Sequence, residues 1–348
     1  MKKRTQVPFQ LTLIAAAVLA AGNAVAQTEG DASTEENYSP LLISTQALDT
    51  RWRSEYAGGV QLGLGYVADD NFMFGQYNGL YEEGTTVIGN LRWQDFSSGT
   101  GYWRASVDDL GLDTREGQVT WGRTDQMRLS FRFDSQIQVR NNSGKTPFRG
   151  SDSPLRLPED WVTGSTTSDF SQLDASLRRF DQELERDKLT AALAMKINDQ
   201  WSFDSSLSYE ERQGTSVTAG AMYVDASSGD AALLPMPVDY RTTEFDVGVT
   251  YSSGKLNLEG RLDYSDFDNK DSILVWDNPY RSRYPDSAGG LGLAPDNDQL
   301  QGRITGQYLI SPTARVQFDG SYAVASQDQD YLDYSINPAA SITEPLPR

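Results

Sequence analysis

The chain has 348 residues, with 30 Lys and Arg against 49 Asp and Glu, a formal net charge of −19, and neither histidine nor cysteine. Lacking both, it can form no Ser–His or Cys–His nucleophile, no Cys or His zinc site, no C-x-x-C-H haem attachment and no disulfide framework. An enzyme is not expected. The acidic balance also lacks the basic footprint that nucleic-acid partners require.

Residues 1–26 carry the three zones of a cleaved secretory signal: Lys2, Lys3 and Arg4, an apolar run from Leu11 to Ala21, and the small-residue site Ala24-Val25-Ala26. No later stretch approaches ~20 uninterrupted apolar residues, so any membrane crossing must be made by strands. Residues 27–57 read as a polar periplasmic lead-in, and 58–325 as strands and loops. The first strand alternates Val60, Leu62, Leu64 and Tyr66 with Gly59, Gln61, Gly63 and Gly65. A loop from Ala68 to Gly84 leads to a second strand with Val87, Leu91 and Trp93 on its apolar side. The third carries Trp103, Ala105 and Val107, and the brief fourth Val119 and Trp121. In the fifth, Met127, Leu129, Phe131 and Phe133 face away from Arg128, Ser130 and Arg132, because side chains of a strand alternate sides.

A long loop is expected from Asn141 to about Phe180, then a hairpin of strands six and seven across Asn198-Asp199-Gln200. A second long loop is expected from Gln213 to Asp239. Strands eight and nine meet at Ser252-Ser253-Gly254, a third loop runs from about Phe267 to Asp298, and strands ten and eleven flank Ser311-Pro312-Thr313. Residues 326–348 read as loop. Connections after odd strands are generally long and those after even strands are turns, as in barrels with long extracellular loops and short periplasmic turns. The expectation is an all-β, antiparallel up-and-down transmembrane β-barrel in the outer membrane of a Gram-negative bacterium. Outer-membrane lipid would touch its apolar side.

The other side mixes signs. Arg92, Arg104, Arg128, Arg132, Arg261 and Arg303 recur there with Asp108, Asp204, Asp263, Asp319, Glu210 and Glu259. Those arginines are the candidate lumen residues facing a partner, through charge-assisted bonds to its carboxylates; pairing with neighbouring acids is the competing expectation. Gly63-x-Gly65-x-x-Ala68 superficially matches a dinucleotide fingerprint, but Asp69-Asp70-Asn71 opens a loop where a helix would have to follow. Asp108-Asp109…Asp113 and Asp296-Asn297-Asp298 have oxygen ligands for calcium but not EF-hand spacing, so solvated loop is the default.

The first long loop contains Phe74-Gly75-Gln76-Tyr77-Asn78-Gly79-Leu80, with Phe74, Gly75, Tyr77, Asn78, Gly79 and Leu80 as its signature positions. Asp109-Leu110-Gly111-Leu112-Asp113, Thr146-Pro147-Phe148, Leu157-Pro158-Glu159-Asp160-Trp161, Asp239-Tyr240 and Trp276-Asp277-Asn278-Pro279 follow in order. This series resembles the MtrB/PioB family of decahaem-associated outer-membrane barrels. The resemblance implies a sheath that embeds a multihaem c-type cytochrome and supports electron transfer across the outer membrane, toward outside minerals or from a donor such as ferrous iron. It also implies that no cofactor is bound by this chain, since the haem is carried by the partner cytochrome. The alternative is a diffusion porin or small-solute transporter. Two departures stand out. Some members carry a cysteine pair near the mature N-terminus, absent here, and members resemble barrels of roughly 26 strands. About eleven strands are legible here, so the chain is expected to be the N-terminal part of a longer protein.

Overall fold

The computed structural model describes residues 56–96, 99–150, 153–225, 228–280 and 288–329. The secretory signal, most of the lead-in and the end of the final loop lie outside the described residues. Thirteen strands form among the described residues: β1 (Tyr56–Val67), β2 (Gly84–Asp95), β3 (Gly101–Leu110), β4 (Arg115–Arg123), β5 (Met127–Thr146), β6 (Arg178–Lys196), β7 (Trp201–Asp225), β8 (Ser228–Ser252), β9 (Leu256–Asn269), β10 (Ile273–Asp277), β11 (Ala288–Gly292), β12 (Asn297–Ser311) and β13 (Ala314–Ser326). All but β10 and β11 join one antiparallel sheet of eleven strands, each hydrogen-bonded to the next in chain order, with β1 and β13 as its edges. The eleven strands are those the alternation predicts. The β10–β11 hairpin is an addition inside the third long loop.

Register makes the two faces continuous. Trp103 pairs with Trp121, Phe131 with Ala191, Leu207 with Phe245, and Leu300 with Val324, so apolar residues of successive strands share one side. Leu62, Leu64 and Tyr322 on that side are 79, 81 and 76% exposed, far beyond what a water-facing sheet tolerates as a contiguous surface. The apolar band is nine residues tall on β7, from Trp201 to Tyr209, before Glu211 takes over the same side. Nine tilted residues at ~3.3 Å each match a band of about 25 Å. Aromatic pairs mark its lower rim: Trp103 with Trp121 at 6.1 Å between centroids and Trp201 with Tyr251 at 4.9 Å. On the same face Phe133 covers Gly117, where an added Cβ would lie 2.6 Å from the ring, so the glycine leaves room for the aromatic.

At one end the connections 124–126, 197–200, 253–255 and 312–313 are turns; long segments gather at the other. There the expected loop from Gln213 to Asp239 does not exist as a loop. β7 and β8 run through it for 25 residues each, paired from Trp201–Tyr251 to Asp225–Ser228. Alternation is hard to recognise on β7 here because its inward side carries Gly214, Ser216, Thr218 and Gly220 before Met222, small residues that give no apolar period.

Among the described residues, the packed hydrophobic cluster lies at this long-loop end. Phe148 and Leu155 from the β5–β6 loop, Met222 from β7, Ala232 and Leu234 from β8, and Leu274 and Trp276 from β10 bury one another. Along β7 and β8, Gly220, Ala232 and Leu234 lie on the same side as Asp204, Ser208 and Glu244. The loops therefore fold inward, over the polar face. Trp276 sits between Gly220 and Gly289, each of which would collide with its indole if it carried a Cβ, and its Nε1 donates to the Met222 sulfur at 3.1 Å. Residues 155 and 277 exchange backbone bonds with the facing strand (Leu155 N to Val275 O at 2.8 Å, Asp277 N to Leu155 O at 3.0 Å), and the Asp277 carboxylate accepts from Arg156 at 2.8 Å.

Trp276→Ala removes the centre of this cluster, and core truncations of that size cost about 3–5 kcal/mol. The expected outcome is rapid protease cleavage within 147–177 and 270–296, while the sheet stays membrane-inserted and heat-modifiable on gels. Cleavage no faster than in the unsubstituted protein would show that the cluster does not hold the loops.

Candidate functional site

All six predicted arginines fall on the polar face. The register links them through Arg92–Ser106, Arg104–Thr120, Gln118–Arg132, Gly122–Arg128, Gly248–Arg261 and Arg261–Arg303. Their surroundings separate them into two groups. Four pair with acids of the same face: Arg92 with Asp108 at 3.6 Å, Arg132 with Glu116 at 2.7 Å, Arg303 with Asp319 at 3.1 Å, and Arg261 with three carboxylates. Arg104 and Arg128 are exposed and make no ion pair among the described residues.

Two networks organise the face. One crosses five strands along the upper rim: Glu116 and Asp134 hold Arg132, Asp134 also holds Arg186 at 2.6 Å, Glu210 bridges Arg186 and Lys188 at 3.9 Å each, and Lys188 reaches Glu244 at 3.2 Å. Arg186 and Lys188 were not among the predicted residues. They alternate with Glu185 and Asp187, so no apolar side tells which way they point. The second network centres on Arg261 of β9, whose guanidinium reaches across β8 to Asp204 of β7 at 2.9 Å and binds Asp246 and, through Nε, Glu259 at 3.3 Å. Gly248 lies beneath this crossing; a Cβ there would stand 2.8 Å from Asp204 and 3.0 Å from Arg261. Ser206 adds a bond to Asp246 at 3.2 Å.

The motif segments, scattered in sequence, collect at two places. Thr146-Pro147-Phe148, Leu157–Trp161 and Trp276–Pro279 meet in the inward-folded loops, where the Trp161 indole donates to Pro279 O at 3.0 Å and packs tilted against Phe170 at 5.0 Å, itself 5.2 Å from Tyr280. Asp239 is tied to Lys270 at 2.7 Å beside them, and Tyr240 lies edge-on to Phe267 at 5.3 Å. The other site is the segment after β1. Asn71 caps a one-turn helix, Phe72–Gly75, by accepting from Met73 N and Phe74 N. Gly75 is buried against the Tyr81 backbone, Asn78 accepts from Leu80 N at 2.9 Å, and Gly79 takes a φ of 74° against the Asp113 carboxylate. Phe74 and Tyr77 stay exposed. The segment covers a real liability: β5 continues past its last pairing with β4 (Ser135 with Arg115), and Gln76 O accepts the Val139 N–H at 3.1 Å there. Thr114 locks the arrangement by donating to Tyr77 O at 2.7 Å. Gly63 and Gly65 lie inside β1, and Asp296 accepts from Asn269 N at 2.7 Å.

The profile of a family described as a putative outer membrane beta-barrel porin, MtrB/PioB, matches residues 66–344. The chain belongs to the MtrB/PioB family. Outer membrane protein MtrB of Shewanella baltica (strain OS185) is 25% identical over 309 residues, covering 86% of this chain and 43% of that protein. The chain thus spans less than half the length of that relative. Among solved structures, the siderophore receptor PiuA of Acinetobacter baumannii overlaps 78% of this chain and 44% of its own at 12% identity and a TM-score of 0.28. A loop L8 deletion mutant of OmpT from Vibrio cholerae overlaps 78% and 95% at 13% identity and 0.17. Family membership makes the exposed apolar face a lipid face and places the barrel in the outer membrane.

Above the lipid band, Tyr81 donates to Glu183 at 2.9 Å, joining the signature segment to β6. Burial pushes the Tyr81 hydroxyl up, with Glu183 adding to it. Burial likewise raises the carboxyls of Glu183 and Glu185; Asp113 adds to both, while the Tyr81 bond opposes the shift at Glu183. A raised folded-state pKa gives stability that is full below the ordinary carboxylate range and lost as pH rises through the shifted value. Docking of 74–81 is therefore expected to tighten on acidification. Hydrogen exchange over this segment, corrected for intrinsic rates, should slow from pH 8 toward pH 5, and Glu183→Gln combined with Glu185→Gln should flatten the response. An unchanged slope in that variant would remove these carboxyls as its cause.

Proposed function

We propose that this chain forms part of an outer-membrane sheath that embeds a multihaem c-type cytochrome and supports electron transfer across the membrane. The observation that carries this reading is an uninterrupted polar face across eleven strands, in a member of a family that includes MtrB. Such a face can line a passage filled by a polar protein, and its arginines and acids can exchange charge-assisted bonds with that protein. In this reading the haem and its axial ligands belong to the partner, in keeping with a sequence that has no histidine or cysteine, and this chain supplies insulation and position. Electrons would pass from haem to haem inside the lipid-facing wall, toward an outside acceptor such as a mineral or from an outside donor such as ferrous iron. The long-loop end faces the cell exterior and the short turns face the periplasm.

A diffusion porin is the second reading, favoured by the family description itself. The inward-folded loops weigh against it, since the cluster around Trp276 occupies the polar side of β7 and β8 above the lipid band. Purification from the native host discriminates the two. A sheath should copurify with a haem protein, giving Soret absorbance in fixed ratio to barrel, and reconstituted vesicles should pass electrons to an enclosed acceptor. Haem-free barrel with stable single-channel conductance would overturn the sheath and support the porin.

A further inference from the structure

The polar face is not uniformly charged near its short-turn end. On β3, β4 and β5 the residues there are Arg104, Thr120, Ser130 and Arg128, with no acid among them until Glu116 and Asp108 higher up. On β7, β8 and β9 the same height holds Asp204, Asp246, Glu259 and Asp263 against the single cation Arg261. Between these quarters β6 presents Ala192 and Ala194 to the same side and, nearest the turn, Lys196, whose charge is matched by Asp199 at 2.9 Å. At ~4.8 Å between strands, the basic and acidic quarters begin roughly 10 Å apart across that neutral strip.

A charge distribution of this kind stores orientation. A protein entering from the short-turn end meets Arg104 and Arg128, both exposed and without ion pairs among the described residues, and meets separately an acidic quarter that its own arginine only partly neutralises. We infer that this lateral charge gradient fixes the rotational setting of the protein held against the face. Its carboxylate-bearing side turns toward β3–β5 and its Lys- and Arg-bearing side toward β7–β9. The inference rests on the sheath reading and adds which side of the partner goes where. Rotation away from this setting brings like charges together, which complementary interfaces use to reject wrong registers. The other four predicted arginines contribute little to this selection, because each is already engaged by acids of its own face. Only Arg104 and Arg128 keep their full charge for a partner.

Photocrosslinking tests this in the native host. The chain carries no cysteine, so an introduced thiol-reactive photoprobe is unique. Ser130→Cys places it in the basic quarter and Thr250→Cys in the acidic one. The expected result is capture of one haem protein at both positions, through an acidic peptide at 130 and a basic peptide at 250. Arg104→Glu with Arg128→Glu should lower capture at 130 and the retained haem by roughly fivefold or more at physiological salt, from the loss of two charge pairs. Arg104→Lys with Arg128→Lys should restore both, and heat-modifiability on gels reports that each barrel has folded. Haem retained as before in the double charge reversal, or the same mixture of peptides at both positions, would overturn the rotational setting while leaving the sheath standing. Absence of any captured haem protein in folded barrel would overturn both.

Discussion

Inside a bilayer no water is present to satisfy a peptide group, and this requirement governs the rest of the molecule. Each strand must give its N–H and C=O groups to its neighbours, which forces the extended backbone and its side-chain period of two. Once the period is fixed, one continuous register assigns every residue to lipid or to the opposite face. The pairings from β2 to β12 hold that assignment across the sheet, so Arg104 on β3 and Arg303 on β12 share a side although they stand 199 positions apart in sequence. Glycine resolves the local conflicts. Gly117 yields to Phe133 on the lipid side, and Gly248 yields to Arg261 on the polar side.

Where water returns, a different balance takes over. Above the band, β5 to β8 continue without lipid, and stability has to come from packing. The inward-folded loops supply it through Trp276, Leu234, Phe148 and their neighbours, which build a small hydrophobic core on the face that lower down is polar. The side is the same but the residues have changed class. Chain crossing the open end of a polar-lined sheet can bury apolar groups only against other loops or against extended strands, and here it does both. The segment 74–80 solves a smaller problem of the same kind, Gln76 O accepting the Val139 N–H of β5 where β4 no longer reaches.

The charges on the polar face divide between internal pairing and an unneutralised remainder. Most arginines are consumed by neighbouring acids, through partly exposed bonds whose individual worth is small. What is left over is unequal around the face, positive on β3–β5 and negative on β7–β9, and that inequality is what an occupant would sense.

Much of this was legible in the residues alone. Alternation in segments such as Met127 to Phe133 specified the strands, the turns at Asn198 and Ser252 and the sidedness of six arginines, because period two is a local property. The ordered motifs pointed to the family, which the profile match over 66–344 shows. Tertiary structure alone decided the rest. The extension of β7 and β8 through 213–239 was not legible, since what buries its inward side is loop chain distant in sequence, with Trp276 packed over Gly220. Nothing local could reveal that Phe148, Trp161 and Trp276 converge, that Arg186 and Lys188 join the rim network, or that Arg132 is paired while Arg128 is not. Those outcomes depend on which strand lies alongside and at what register. A sequence fixes its own period, whereas the identity of a side chain's neighbours is settled only when the sheet assembles.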